Sequence, residues 1–413
     1  MKKRRLAVVG RGTAGCISML QLLEDRFHYH NAKDKLYDNI EHVDWYYDPS
    51  IPTAPVGEGT TITFPDLWNR KLGASYCGLD EVDYQVKEGI YYQNWGKTDF
   101  MHTFPIGTAG AHFNAKKFQH MVFNRLEKHP QIRTHAAFIP RPLDVEEHEG
   151  PHDKIIYCAG KPDLEDCIIP DYIPVNAAHI TQCPWDAPKF RHTKTIAMPF
   201  GWVFMVPLAN RCSVGYLYNK DINTADEVRQ DVVKLWGIHK LDPDYNSVNN
   251  IEFNNYYRKK FFDGKVVYNG NAGFFLEPME ATSIDTMLRI IQADRSSDDE
   301  EHANEKMHIF MKDAEMIIMI HYAAGSKYKT PFWEFAQERG IKCLEEARKD
   351  RRRSDILRKS EWIYHEEGSK RPTKQFQRNI MRKVGPWNTV QLKLNMANLG
   401  LDPTAPNYKH ELN

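Results

Sequence analysis

The chain has 413 residues, room for one large or two moderate hydrophobic cores, and its 41% hydrophobic and 12% aromatic content is that of a folded globular protein. Lysine plus arginine (55) equal aspartate plus glutamate (55), so no net field draws the chain to nucleic acid or to an anionic membrane. The 7 cysteines include no Cys-x-x-Cys pair, which argues against a disulfide framework and against a zinc or other metal site, and for a reducing compartment.

The basic opening, Lys2 to Arg5, precedes an apolar run of only Leu6, Ala7, Val8 and Val9 before Gly10. A secretory leader needs about 7–15 apolar residues and a membrane helix about 20, so the run is read as a buried strand and the expected location is the cytoplasm. Gly10-Arg-Gly-Thr-Ala-Gly15 follows as a turn, and Cys16, Ile17, Leu20, Leu23 and Phe27 recur at helical spacing. Asn31–Asn39 is polar and reads as a loop insertion. Val43, Trp45 and Tyr47 alternate as a second strand closing on Asp48. Ser50–Pro65, rich in Pro, Gly and Thr, is expected to be a loop passing over a ligand.

Asn114 is the expected N-cap of a helix from Ala115 to about Leu126. Lys154–Tyr157 reads as another buried strand, ending at Cys158-Ala159-Gly160. From 161 to 262 short alternating segments such as Trp202–Leu208 and Val214–Tyr218 predict a mostly antiparallel sheet. Lys265–Tyr268 returns to the buried-strand pattern. Ser297, ahead of Asp298, Asp299 and Glu300, predicts a helix start leading to Met316–Ile320. The tail from about Lys342 is expected to be helical, its basic residues Arg348, Lys349 and Arg351–Arg353 a solvated face.

Gly10-x-Gly12-x-x-Gly15 between strand and helix is a dinucleotide fingerprint. The first glycine permits the turn, the second lets backbone approach a pyrophosphate, the third lets helix and strand pack closely, and the helix N-terminus supports the phosphates. Asp48 is the candidate ribose acid. It lies farther beyond Gly15 than the ~20 residues usual, the excess being the Asn31–Asn39 insertion. A second glycine cluster, Gly270 to Gly273, late in the chain favours FAD over NAD, because enclosing a whole flavin takes backbone from distant segments.

The motifs together resemble the flavin-dependent halogenases of the tryptophan-halogenase type, over roughly residues 5–340. They are Gly10-Arg-Gly-Thr-Ala-Gly15, Val56-Gly-Glu-Gly-Thr-Thr61, Lys87-Glu-Gly-Ile-Tyr-Tyr-Gln-Asn-Trp95, Gly201-Trp-Val-Phe-Met-Val-Pro-Leu208, Gly270-Asn-Ala-Gly-Phe-Phe-Leu-Glu-Pro-Met-Glu-Ala-Thr-Ser-Ile284 and Thr330-Pro-Phe-Trp333. The chain is compact for the family and resembles its phage-encoded members, which would place it in a host cytoplasm. The resemblance implies an α/β, FAD-binding Rossmann-like fold in three layers, of the glutathione-reductase type. Its parts would be a discontinuous FAD domain (1–160 and 263–325), an inserted antiparallel substrate region (161–262) and a helical C-terminal region (326–413). Three departures stand out: Phe204 where the family has a second tryptophan, Asn271 for the usual aspartate, and Ala281-Thr282-Ser283 for Ser-Thr-Gly.

The resemblance further implies a reaction. FADH2 and O2 give a flavin C4a-hydroperoxide, halide (chloride, bromide or iodide) attacks it, and hypohalous acid reaches a lysine beside the substrate. Lys87 matches that lysine, acting either by hydrogen bonding the oxidant or as a haloamine; by pattern alone it would be a solvated strand lysine. Glu280 matches the carboxylate that takes the substrate's proton or orients the oxidant, and otherwise reads as an acid favoured by a helix N-terminus. Thr282 and Ser283 match the halide seat, built from helix N-terminal amides. Val56, Gly57, Glu58, Gly59, Gly270, Asn271, Ala272 and Ile284, with Thr13 and Ala14, match the flavin-binding positions. Trp202, Phe204 and Pro207 match the wall between flavin and substrate; Trp95 and Trp333 are expected to be core or pocket wall.

Two other readings stay open. A two-component flavin monooxygenase would share the fold; no NADPH-linked Asp-Gly motif appears near Lys154–Gly160, which favours FADH2 arriving from a separate flavin reductase. A non-catalytic flavin-binding protein would need neither Lys87 nor Glu280. The short tail predicts a more open site for varied aromatic or heteroaromatic substrates, and the aromatic-rich composition is compatible with a homo-oligomer.

Overall fold

The computed structural model describes residues 3–23, 39–51, 57–62, 64, 80–104, 108–358, 383–384 and 387–401. Phe27, residues 31–38 of the expected insertion, and residues 52–56, 63 and 65 of the expected ligand-covering loop, Val56 among them, lie outside these. The run Leu6–Val9 forms the inner part of a strand, Arg4–Val9, whose last four residues are buried. An apolar run without alternation belongs in a strand covered on both faces, and this one sits inside a six-stranded sheet. The sheet order is 262–263, 266–268, 154–157, 4–9, 40–47, 132–136, and every neighbouring pair is parallel except the hairpin at one edge. The helix Thr13–Leu22 follows the first strand and is buried on nearly all sides, packed against the helices Ala115–Leu126 and Thr282–Ser296. Asn114 caps the former, its side chain accepting from Lys117 N at 3.3 Å.

A seven-stranded sheet forms the second body of β-structure, in the order 244–252, 177–184, 211–218, 201–207, 193–198, 89–93, 100–103. Five strands come from 161–262; the other two, Gly89–Gln93 and Phe100–Thr103, come from far earlier in the chain, and 89–93 joins 193–198 in parallel. Strand alternation divides its residues. Val203, Met205, Val214 and Tyr216 meet the helix Ala225–His239 through Val228, Val232 and Leu235, which leaves Trp202 and Phe204 on the side facing the main core. Gly215 sits opposite Phe204 in register, and a Cβ there would meet the Phe204 ring at 2.2 Å. A small three-stranded sheet, in the order 57–59, 110–114, 85–87, pairs Lys87 with Gly110.

The structure is thus a mixed α/β fold with parallel and antiparallel sheets and a helical C-terminal region. One expected boundary is corrected. Ser297 does not cap the long helix, Glu300–Ala324; Asp299 does, with extended backbone and its carboxylate accepting from His302 N at 2.8 Å. Ser297 instead ends the preceding helix, its hydroxyl turned back to the Ala293 carbonyl at 2.7 Å. The helix Pro331–Lys349, which starts earlier than the expected tail, packs tightly on Glu300–Ala324, with Gly340 facing the Ala323 backbone where a Cβ would come within 2.3 Å. No helix among the described residues is long and apolar enough to cross a membrane.

The glycines of the first turn have separable roles. A Cβ at Gly15 would lie 2.0 Å from the Gly10 carbonyl oxygen, whereas one at Gly12 would meet nothing within 4 Å. Gly15→Ala is therefore expected to cost at least ~2 kcal/mol in urea unfolding, and Gly12→Ala no more than about 1 kcal/mol. Equal losses would show that close helix–strand packing does not fix this turn.

Candidate active site

Two cavities collect the chemistry-bearing residues. The first lies at the C-terminal ends of the parallel strands, where ligands of such sheets bind, and measures about 390 Å³. Gly10 and Gly12, Asp48 and the segment Tyr157–Gly160 form its walls. Gly10 holds φ +107°, and Gly12 caps the Thr13–Leu22 helix with extended backbone and no side-chain cap, so the first helical amides remain available to an anion. Arg11 adds a cation, its guanidinium carbon 4.4 Å from the Tyr47 ring centre. Thr13 Oγ1 accepts from Gln119 Nε2 at 3.1 Å. Asp48 is half-buried and its Oδ1 already accepts from Ser50 Oγ at 2.7 Å and Ser50 N at 2.8 Å, which holds its carboxyl below the usual range. Open space at Gly12, uncapped amides and a nearby guanidinium suit a dinucleotide pyrophosphate. Gly270, Asn271 and Ala272 do not line this cavity. Gly270, at φ +58°, lies against Ala14, where a Cβ would fall 2.5 Å from the alanine's own.

The second cavity is narrower, about 80 Å³, room for a short file of water-sized molecules. Lys87, Glu58, Gly59, Glu280, Ser283 and Ile284 line it, with Trp202 and Phe204 as an aromatic wall. Lys87 is 2% exposed, so the strand lysine is not solvated. Its Nζ sits 5.6 Å from the Phe104 ring centre and 3.6 Å from where a Cβ on Gly59 would be. Burial pushes its pKa down to about 8, and the nearby charge of Glu280 opposes that shift. Glu58 is pushed up to about 7 by desolvation.

Glu280 is buried on a strained turn. It and Ala281 both hold left-handed backbone, at φ 64° and 53°, just before the helix Thr282–Ser296. That helix has no side-chain cap, so no side chain covers the amides of its first turn. Ser283 lines the cavity; Thr282 is buried behind it, and its Oγ1 has no hydrogen-bond partner among the described residues. Glu280 Oε1 lies 3.2 Å from His321 Nε2, with both side chains almost wholly buried.

Along the strand Gly201–Pro207, positions 202, 204 and 206 line the cavity. Pro207 does not: side chains alternate between sheet faces, and Val206 takes the place expected for it. The Trp202 indole N–H points to Glu277 Oε2 at 3.4 Å, and the Tyr322 hydroxyl donates to the same oxygen at 2.8 Å. Glu277 is fully buried, which pushes its pKa up to about 8. Trp95 lies behind Trp202, edge-on to Trp333 at 5.2 Å. Sequence reasoning missed His321, Glu277 and the cavity residues Thr193 and Thr195; the His321-Tyr322 pair just before Thr330-Pro-Phe-Trp333 was the available signal for the first.

The family model described as tryptophan halogenase matches residues 5–145 and 164–377. The chain is 28% identical over 179 residues to tryptophan 6-halogenase ThaL of Streptomyces albogriseolus, and 27% identical over 179 residues to tryptophan 7-halogenase RebH of Lentzea aerocolonigenes. Each alignment spans 41% of this chain but 33% of the relative, so the chain matches about a third of the length of these curated relatives. The fold is shared with a tryptophan halogenase from Shewanella frigidimarina, at TM-score 0.73 and 18% identity, over 98% of this chain and 90% of that one.

A buried lysine with a lowered pKa destabilises the fold. Below pH 8 both folded and unfolded chains hold the proton, and the folded state carries the desolvation cost. Between about 8 and the ordinary lysine value of 10.5 only the unfolded chain stays protonated, so stability rises with pH. Lys87→Met is therefore expected to stabilise the protein at pH 7 by on the order of 2–3 kcal/mol, with the gain shrinking toward pH 10. Thermal denaturation across that range checks it, and a variant less stable than the parent at pH 7 would contradict it.

Proposed function

Since the chain belongs to the tryptophan halogenase family, we propose that it is an FADH2-dependent halogenase of aromatic or heteroaromatic substrates. The observation that supports this best is a buried lysine and a buried carboxylate lining one narrow cavity, beside an uncapped helix N-terminus. Binding a flavin would require neither Lys87 nor Glu280.

Gly10, Gly12 and the amides after them would hold the FAD pyrophosphate, and Glu58 and Gly59 would approach the flavin's ring end. Bound reduced flavin, with O2, supplies the two-electron oxidation that turns halide into an electrophile. The leading amides of Thr282–Ser296 would seat the halide, Ser283 setting the size of the seat. Lys87 then holds hypohalous acid by its N–H groups. As the aromatic carbon bonds to halogen, the O–X bond breaks, and the departing hydroxide takes a proton from the Lys87 ammonium to leave as water. Glu280 accepts the proton released from the ring carbon. With a pKa of about 8, Lys87 is largely protonated at neutral pH, as this role requires. Trp202 and Phe204 would keep bulk water from the path of the oxidant. The segment 161–262 would form the substrate side of the enzyme, reduced flavin would arrive from a separate reductase, and the place of action would be the cytoplasm.

The test supplies enzyme, FAD, a flavin reductase, NADH and bromide to a panel of indoles and phenols, read by mass spectrometry. Brominated product is expected. Gain of one oxygen instead would make the protein a monooxygenase, and no turnover a binding protein. Lys87→Ala is expected to lower halogenation by at least ~100-fold while FAD still binds; normal halogenation by that variant would refute the mechanism.

A further inference from the structure

His321 lies on the helix Glu300–Ala324, fully buried. Its ring stacks on Tyr92, with centres 5.0 Å apart, and meets Trp95 edge-on at 5.9 Å, so its orientation is fixed by packing. Nδ1 faces two backbone carbonyls, Ile317 O at 3.0 Å and Ile318 O at 3.3 Å. Carbonyls only accept, so Nδ1 carries a hydrogen. In the neutral ring Nε2 would then present a lone pair. It faces Glu280 Oε1 at 3.2 Å, and neither carboxylate oxygen has a hydrogen-bonded partner among the described residues. Two buried lone pairs at that distance repel.

We propose that His321 is a positioning residue that shares one proton with Glu280, engaging Oε1 and leaving Oε2 as the acceptor that faces the substrate. This rests on the reading of Glu280 as the group that receives the ring proton. The proton lies either on Nε2, as an imidazolium–carboxylate pair, or on Oε1, as an acid donating to a neutral ring. The other titratable neighbours do not compete for that proton: burial holds His102 neutral, at about 4, and Tyr92 is a phenol.

The test uses the FAD-loaded protein labelled with nitrogen-15 histidine, and the variants Glu280→Gln, His321→Gln and their combination. Glu280→Gln is expected to move the His321 Nε2 resonance while Nδ1 stays protonated, because the shared proton is gone. His321→Gln is expected to lower kcat about ten-fold, with KM for the aromatic within about two-fold, and to add less than about two-fold when Glu280 is already Gln. An Nε2 resonance unchanged by Glu280→Gln overturns the proposal, and so do two losses that multiply. If the parent halogenates nothing, the functional reading fails, yet the nitrogen spectra still decide whether the proton is shared. Should His321→Gln not fold, the Glu280→Gln spectrum alone decides.

Discussion

The site is organised around holding a cation and a carboxylate in one dry cavity without letting them collapse into an ion pair. Lys87 and Glu280 feel each other electrostatically, yet no ion pair joins them. In a low-dielectric interior such a pair would close if the chain allowed it. The chain does not allow it. Lys87 is fixed by ladder pairing to Gly110, and Glu280 by a left-handed turn locked to the following helix and to His321. Both line the same narrow cavity.

Much of the frame was legible because it follows from short-range rules. The run Leu6–Val9 with no alternation could only be a doubly covered strand, and the glycine spacing after it announced a tight turn with open amides. Asn114 read correctly as a cap because its side chain has one obvious backbone partner. What stayed hidden depends on distant chain meeting in space. No local pattern announces that Gly89–Gln93 would pair with Thr193–Met198 across the chain, or that a histidine deep in a long helix would reach Glu280. Pro207 is different. Its exclusion from the cavity was already implied by alternation from Trp202, and motif matching overrode a period that should have decided it.

Buried acids near the site are not interchangeable, and the geometry separates their work. Glu277 receives two neutral donors, the Trp202 indole and the Tyr322 hydroxyl, and burial favours its uncharged form. It ties the aromatic wall to the helix Glu300–Ala324 and adds no net charge to the cavity. Glu280 is placed instead against the His321 ring, 3.2 Å from its Nε2.

The turn that presents Glu280 shows how this arrangement is maintained. Two successive non-glycine residues in left-handed backbone cost roughly 1–3 kcal/mol each, and the buried lysine adds a further burden. Such terms persist only where surrounding structure over-determines them. The helix Thr282–Ser296 is anchored on one side by the helix Thr13–Leu22 and on the other by Glu300–Ala324. These are the helices that serve the first cavity and carry His321. Packing that builds the dinucleotide turn thus also bears the strain at Glu280, which couples the two cavities through one rigid stack of helices.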